Sequence, residues 1–231
     1  TGYTTPNNGH ATLTINVTAP AITLNNVSVG EDLQTSHYTA LGVVPLEPTD
    51  VTVTVASETT AVLSTDAATA GTKSITIQDV TNTSAQWFSV QGLAKGSTTV
   101  TVSAPGYADT TATITVLDSG FQLSTGTLNT TTFSPNSNIH IDAYALQANG
   151  NLWSQQELRP GASATINLTN ANPAVGTLTQ ETLTLTGHNG YRTTTQFDPA
   201  TAGTTTITLT QPTGYTTPNN GHATLTINVT G

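Results

Sequence analysis

Residues Thr1 to Thr18 read TGYTTPNNGHATLTINVT, and residues Thr213 to Thr230 read the same. The end of that stretch, Ala223-Thr-Leu-Thr-Ile-Asn-Val229, alternates apolar with polar side chains. A period of two belongs to a β-strand with one buried face and one wet face. The same pattern recurs in Val51-Thr-Val-Thr-Val55, Ser74-Ile-Thr-Ile77, Thr99-Val-Thr-Val102, Ala112-Thr-Ile-Thr-Val116, Thr165-Ile-Asn-Leu168, Thr182-Leu-Thr-Leu185 and Thr206-Ile-Thr-Leu209. Turn formers separate these runs, as at Pro105-Gly106, Asn149-Gly150, Asn189-Gly190 and Pro218-Asn-Asn-Gly221. No long segment carries helical periodicity. Short strands at a spacing of roughly 8–12 residues predict an all-β chain of sandwiches.

The duplication carries a second message. Folding constrains the core face of a strand, whereas here the outward Thr and Asn residues are identical too. The pattern reads as a copied tandem repeat, with a period of 212 residues. Residues 1–18 are therefore expected to be the terminal strand of the preceding repeat, with Ala11, Leu13, Ile15 and Val17 forming its apolar face. Ala223, Leu225, Ile227 and Val229 play that part in the second copy. Unburied, such a strand exposes large aliphatics and an unpaired edge. Two outcomes are open. Either residues 1–18 complete the sandwich of another subunit, or they stand for the covalent end of the preceding repeat. Both make neighbouring copies of the chain its partners, head to tail. Gly231 stands where strict continuation would place Ala, as at Ala19.

A weaker repeat lies inside the period. Gly96-Ser-Thr-Thr-Val-Thr-Val102, Pro105-Gly-Tyr107 and Ala112-Thr-Ile-Thr-Val116 close the first half. Gly203-Thr-Thr-Thr-Ile-Thr-Leu209, Pro212-Thr-Gly-Tyr215 and Ala223-Thr-Leu-Thr-Ile-Asn-Val229 close the second. Upstream, Ser57-Glu-Thr-Thr-Ala-Val62 matches Asn170-Ala-Asn-Pro-Ala-Val175. The expected organisation is a sandwich over residues 19–117 and a diverged second copy over 118–231, each near the ~100 residues of an immunoglobulin-like domain. The junction Val116-Leu-Asp-Ser-Gly120 has no Pro/Ser linker, so the two should pack end to end with little hinge freedom.

These motifs, in this order, resemble the bacterial immunoglobulin-like (Big) repeats of long surface proteins and adhesins. The resemblance covers both halves and rests on strand and turn motifs. It implies tandem immunoglobulin-like sandwiches, an extracellular or cell-surface location and a spacer or adhesive role, and it brings no catalytic residues. The chain departs from the pattern at Pro212-Thr-Gly-Tyr215, at the insertion Thr216–His222, and at the lengthened strand around Ile139-His-Ile-Asp-Ala-Tyr144.

Composition narrows the role. Charged residues make up only 7% of the 231-residue chain, and Thr roughly a quarter. The net charge is −9 and the fixed cations are Lys73, Lys95, Arg159 and Arg192, which argues against nucleic acid as a partner. No stretch approaches the ~20 apolar residues of a helical membrane span, so no membrane insertion is expected. Cys and Met are both absent, which removes disulfides and thiolate chemistry and suits an exposed, oxidising setting.

Candidate chemistry is sparse, and no catalytic, cofactor or metal site is expected. His140 and Asp142 share a strand face, but no Gly-x-Ser-x-Gly nucleophile accompanies them. Glu31-Asp32 and the acids from Glu47 to Asp50 read as solvated turns, without the spaced carboxylates of a calcium loop. Alternation puts Trp87 and Phe88 on opposite faces. A lone sandwich Trp is ordinarily core, whereas an exposed one can stack on a sugar or a neighbouring domain. Trp153 lies in Gly150-Asn-Leu-Trp-Ser-Gln-Gln-Glu-Leu-Arg-Pro160, which lacks alternation and is the best candidate for an inter-domain or inter-chain contact. Trp87 and Trp153 are thus candidate contact aromatics. The expected function is a structural repeat of an extracellular fibre, sheath or long surface adhesin, not an enzyme, with cell-surface or matrix glycans as a further partner. The alternative is a carbohydrate-binding or spacer module of a secreted polysaccharide-acting enzyme.

Overall fold

The computed structural model describes Gly2 and residues 14–124 and 126–231. The first nine strands are β1 (Ile22–Leu24), β2 (Val27–Gly30), β3 (Leu33–Leu41), β4 (Thr49–Val55), β5 (Ala61–Ser64), β6 (Ser74–Val80), β7 (Gln86–Gly92), β8 (Gly96–Ser103) and β9 (Thr110–Leu117). They form two sheets, ordered β1-β3-β7-β5 and β2-β9-β8-β4-β6. Next come β10 (Ser119–Leu123), β11 (Thr127–Thr131), β12 (Ser137–Leu146), β13 (Leu152–Gln155), β14 (Glu157–Leu158), β15 (Ser163–Asn170), β16 (Gly176–Leu178), β17 (Thr182–Thr186), β18 (Arg192–Pro199), β19 (Gly203–Thr210) and β20 (Thr224–Thr230). Their sheets run β10-β12-β18-β16 and β11-β20-β19-β15-β17.

The two halves share one strand order, that of an immunoglobulin-like sandwich with an A-B-E-D sheet facing an A′-G-F-C sheet. In each, the strand after C crosses to the edge beside E, and the next returns to pair with C. The only parallel ladders among the described residues are β2 on β9 and β11 on β20, where a split first strand switches sheets. The chain is all-β, built as tandem immunoglobulin-like sandwiches, and the described residues contain no helix.

The alternating sequence explains the burial. In β20 the exposure pattern alternates, with Leu225, Ile227 and Val229 buried and Ala223 half-buried just ahead of the strand. Val51, Val53 and Val55 do the same in β4, and Ile166 and Leu168 in β15. Thr occupies the wet positions, where its β-branch favours extended backbone and its hydroxyl stays in water. Ala11 and Leu13 lie outside the described residues. Ile15 and Val17 sit in irregular chain and are 73% and 89% exposed. Ile227 is fully buried on an inner strand of its sheet, between β19 and the edge strand β11. Ile227→Ala should destabilise the second sandwich by about 2–5 kcal/mol in denaturant melts, the range for core truncation. A loss below about 0.5 kcal/mol, the size of a neutral surface change, would contradict this packing.

Candidate functional site

The most built feature outside the cores is the joint between the sandwiches. β9 ends at Leu117 and β10 begins at Ser119, so Asp118 alone connects them. Its backbone carbonyl accepts from Leu146 N at 2.8 Å, and its carboxylate meets Lys95 Nζ at 2.6 Å. Ser119 is buried, and its hydroxyl donates to Glu31 O at 2.7 Å.

The joint is closed by the long connection between β12 and β15. In the first sandwich the corresponding connection, from β3 to β4, spans only residues 42–48. In the second, residues 147–162 reach back across the boundary. β13 pairs with β12, and β14 then adds to the edge of β3, with Glu157 opposite Gln34 and Leu158 opposite Leu33. β14 thus lies along the β3 edge, beyond the part that β1 covers. Both leucines are fully buried, and the apolar residues of the two sandwiches form one continuous cluster.

Gln156 sits just before β14 and is buried. Its Oε1 accepts from Gly30 N at 2.9 Å, its Nε2 donates to Ser28 O at 3.3 Å, and its own N donates to Ala143 O at 3.3 Å. Gln34, also buried, donates to Glu157 Oε1 at 2.8 Å. Past β14, Arg159 closes on the β2–β3 turn. Its Nη2 and Nε both donate to Asp32 Oδ1, at 2.7 and 3.1 Å, and its N donates to Asp32 O at 3.0 Å. Asp32 adopts a left-handed backbone (φ 58°), which Asp tolerates better than most residues.

Electrostatics follow from this crowding. Glu31 has its carboxyl raised above the usual range, first by burial and then by Asp32 and Asp118. Tyr215 packs on Phe121 with ring centroids 4.8 Å apart, and its buried hydroxyl has no hydrogen-bond partner. Burial, then the Asp32 charge, pushes its phenol well up. Gly120 must remain glycine, because a Cβ there would run into Thr216 O.

The other sequence candidates sit elsewhere. Glu31 and Asp32, expected as a solvated turn, form part of the joint. The reason is Arg159, more than a hundred residues away in sequence. His140 Nδ1 bonds Thr194 Oγ1 at 2.9 Å. Asp142 is buried, binds Arg192 through two hydrogen bonds of 2.6 and 2.8 Å, and accepts from Gln155. The two side chains are thus committed to different partners. Phe88 takes the core place and Trp87 is 60% exposed, leaning on Tyr38 with centroids 5.1 Å apart. Trp153 is 46% exposed and lines a groove of about 440 Å³ beside the joint, with Asn26, Ser28, Thr35 and Thr113. Among the described residues, no three His, Asp or Glu side chains gather as metal ligands would. Gln156 lies inside the Gly150–Pro160 stretch expected to make an inter-domain contact, but the sequence singled out Trp153 there, not the glutamine. A local signal was the Glu157-Leu-Arg-Pro160 run, which places one of only four fixed cations in a loop.

No protein-family model matches the chain, and no curated protein sequence matches it. Among solved structures it is similar to domains 5–6 of the S-layer protein SbsC, at 18% identity and a TM-score of 0.35, covering 91% of this chain and 96% of that one. It is similar to CBD12 from CALX1.2 at 10% identity and a TM-score of 0.37, covering 88% and 96%. It is also similar to the C-terminal 282-residue fragment of intimin, solved with the intimin-binding domain of its translocated receptor, at 14% identity and a TM-score of 0.33, covering 94% and 64%. Scores of this size carry no inference about role, so the functional reading rests on the chain's own residues.

Truncating Gln156 leaves Gly30 N–H buried without its partner, a loss of about 1–3 kcal/mol. Gln156→Ala should therefore lower the urea midpoint and broaden the interdomain distance distribution in small-angle scattering. An unchanged midpoint and an unchanged distribution would contradict the joint as described.

Proposed function

We propose that this chain is a structural repeat of an extracellular fibre, sheath or long surface adhesin, built by stacking sandwiches end to end, without enzymatic activity. The observation that carries this reading is the joint. A one-residue connection, a strand shared across the boundary, a buried glutamine and an ion pair convert two domains into one stiff segment. Interfaces between domains of one chain are more often loose. Stiffness along the chain axis serves distance and load. The duplicated ends supply the repetition, and the absence of Cys and Met suits an exposed setting.

Of the two routes for residues 1–18, covalent continuity fits better. The slot that their copy would enter is filled by β20, laddered on one side to β19 and on the other to β11. Exchange would have to strip both ladders for a strand of identical sequence and nearly equal energy. Residues 1–18 then stand for the end of the preceding repeat, and head-to-tail continuation is the path of the chain itself. The carbohydrate-binding reading has less support. Beside Trp153, Asn26 Oδ1 already accepts from Thr113 N, and Gln156 is spent on Gly30 and Ser28. What remains to meet a sugar is short Ser and Thr hydroxyls and the Asn26 amide nitrogen, with no charged side chain in the lining.

Ten-residue β12 at about 3.3 Å per residue makes each sandwich roughly 33 Å long. Two in series predict an axial repeat on the order of 60–80 Å if the strands run near the fibre axis. Electron microscopy of native material decorated with antibody to this chain should show thin filaments with that spacing. Label confined to isolated globular particles would sink the proposal.

A further inference from the structure

The internal joint shows how one sandwich receives the next, and the same positions recur at the two outer ends. In the first sandwich Val27 pairs with Ile114, and Glu31 N donates to Leu117 O at 2.8 Å, where the last strand ends. In the second, Leu128 pairs with Ile227, and Thr132 N donates to Thr230 O at 2.9 Å. The turn Glu31-Asp32, which the following sandwich grips, thus corresponds to Thr132-Phe133. Phe133 is 91% exposed. Its turn is fixed by hydrogen bonds: Ser134 N to Thr131 O at 3.0 Å, and Thr131 Oγ1 with Ser134 Oγ at 2.9 Å. An aromatic ring is held out on an ordered turn at the end where a following domain would begin.

The complementary surface lies at the opposite pole of the chain. Asp32 is held by the connection between the second and third core strands of the next sandwich, through Arg159. Its counterpart in the first sandwich is residues 42–48. There Val43, Val44 and Leu46 are 49%, 62% and 101% exposed. With Pro20, Pro45 and Tyr107 they line an apolar cavity of about 360 Å³. The other contacts correspond as well. Pro20 takes the place of Ser119, since Ile22 and Phe121 both open the buried face of their first strand. Tyr107 takes the place of Tyr215, which lies in the internal joint.

We propose that Phe133 of one repeat inserts into the cavity lined by Pro20, Val43, Val44, Pro45, Leu46 and Tyr107 of the following copy of this same chain. This rests on the reading of the chain as a repeat unit and supplies its second joint. The two joints differ in kind. The internal one uses a strand, a glutamine and an ion pair, whereas the one between repeats is an apolar ring in an apolar cavity. The residues that correspond to the ionic grip are Phe133 in place of Asp32 and a loop of Val, Pro and Leu in place of Arg159. An exposed apolar cluster such as Val43, Val44 and Leu46 marks an interaction surface, the ring of Phe133 at the opposite pole is the matching knob, and heterologous poles propagate rather than close.

The test uses residues 1–230 followed directly by a second copy of residues 19–230. Its junction, Thr230 to Ala19, repeats the Thr18–Ala19 step already in the sequence. The chain has no cysteine, so Thr132→Cys in the first copy and Glu47→Cys in the second form the only thiol pair, beside the contact and with Phe133 and the apolar lining intact. Thr132 is half-exposed and Glu47 exposed, so neither change threatens folding. Disulfide formation should be at least about tenfold faster than for a control pair, Thr132→Cys with Thr99→Cys in the second copy, because docking raises the local concentration of one pair alone. Equal rates would overturn the joint. Regular filaments in native material together with equal rates would reject only this joint. Absence of filaments would reject the repeat reading itself.

Discussion

The architecture turns on one buried side chain. Gly30 N–H ends a strand where no neighbouring strand reaches it, and a buried amide without a partner is costly. Gln156, from the other sandwich, satisfies it and reaches Ser28 O with its own amide. That contact fixes where the following residues run. Glu157 and Leu158 then extend the edge of β3, and Arg159 falls against Asp32. Each of these is modest alone. They act together because the first constrains the chain that makes the others. The edge left open beyond β1, a natural site of unwanted pairing, is covered in the same stroke.

A chain with so few charges uses them at chosen places. Lys95 and Arg159 both lie at the joint, on Asp118 and Asp32, and Arg192 clamps buried Asp142 inside the second sandwich. Elsewhere threonine predominates on the wet strand faces, among scattered exposed acids such as Asp50, Glu58 and Asp198. Stability comes from alternating cores and backbone ladders, with no disulfide to assist.

Sequence alone carried the strands well, because alternation is local. Val51 to Val55, Ala112 to Val116 and Ala223 to Val229 announce their buried faces within a few residues. The doubled motifs announced the two-sandwich plan in the same way. The joint was less legible because its partners are far apart in sequence. Nothing near Gly30 signals a glutamine at position 156, and β14 is too short to show a period. Glu31 and Asp32 looked like an ordinary turn, since the cation that occupies Asp32 arrives from the other domain. Alternation placed Trp87 and Phe88 on opposite faces, but the choice of which faces inward depended on the opposing sheet. Phe133 stands in a polar stretch with no period, so only its structural correspondence to Asp32 gives it meaning.

Rigidity of the joint between the two sandwiches is tested most directly by residual dipolar couplings of backbone amides, measured in a weakly aligned sample of the chain. A rigid joint predicts that residues 22–117 and 119–230 report a single alignment tensor, equal in magnitude and orientation when fitted to the structure. Two tensors of different magnitude would show the sandwiches reorienting independently and would contradict the account.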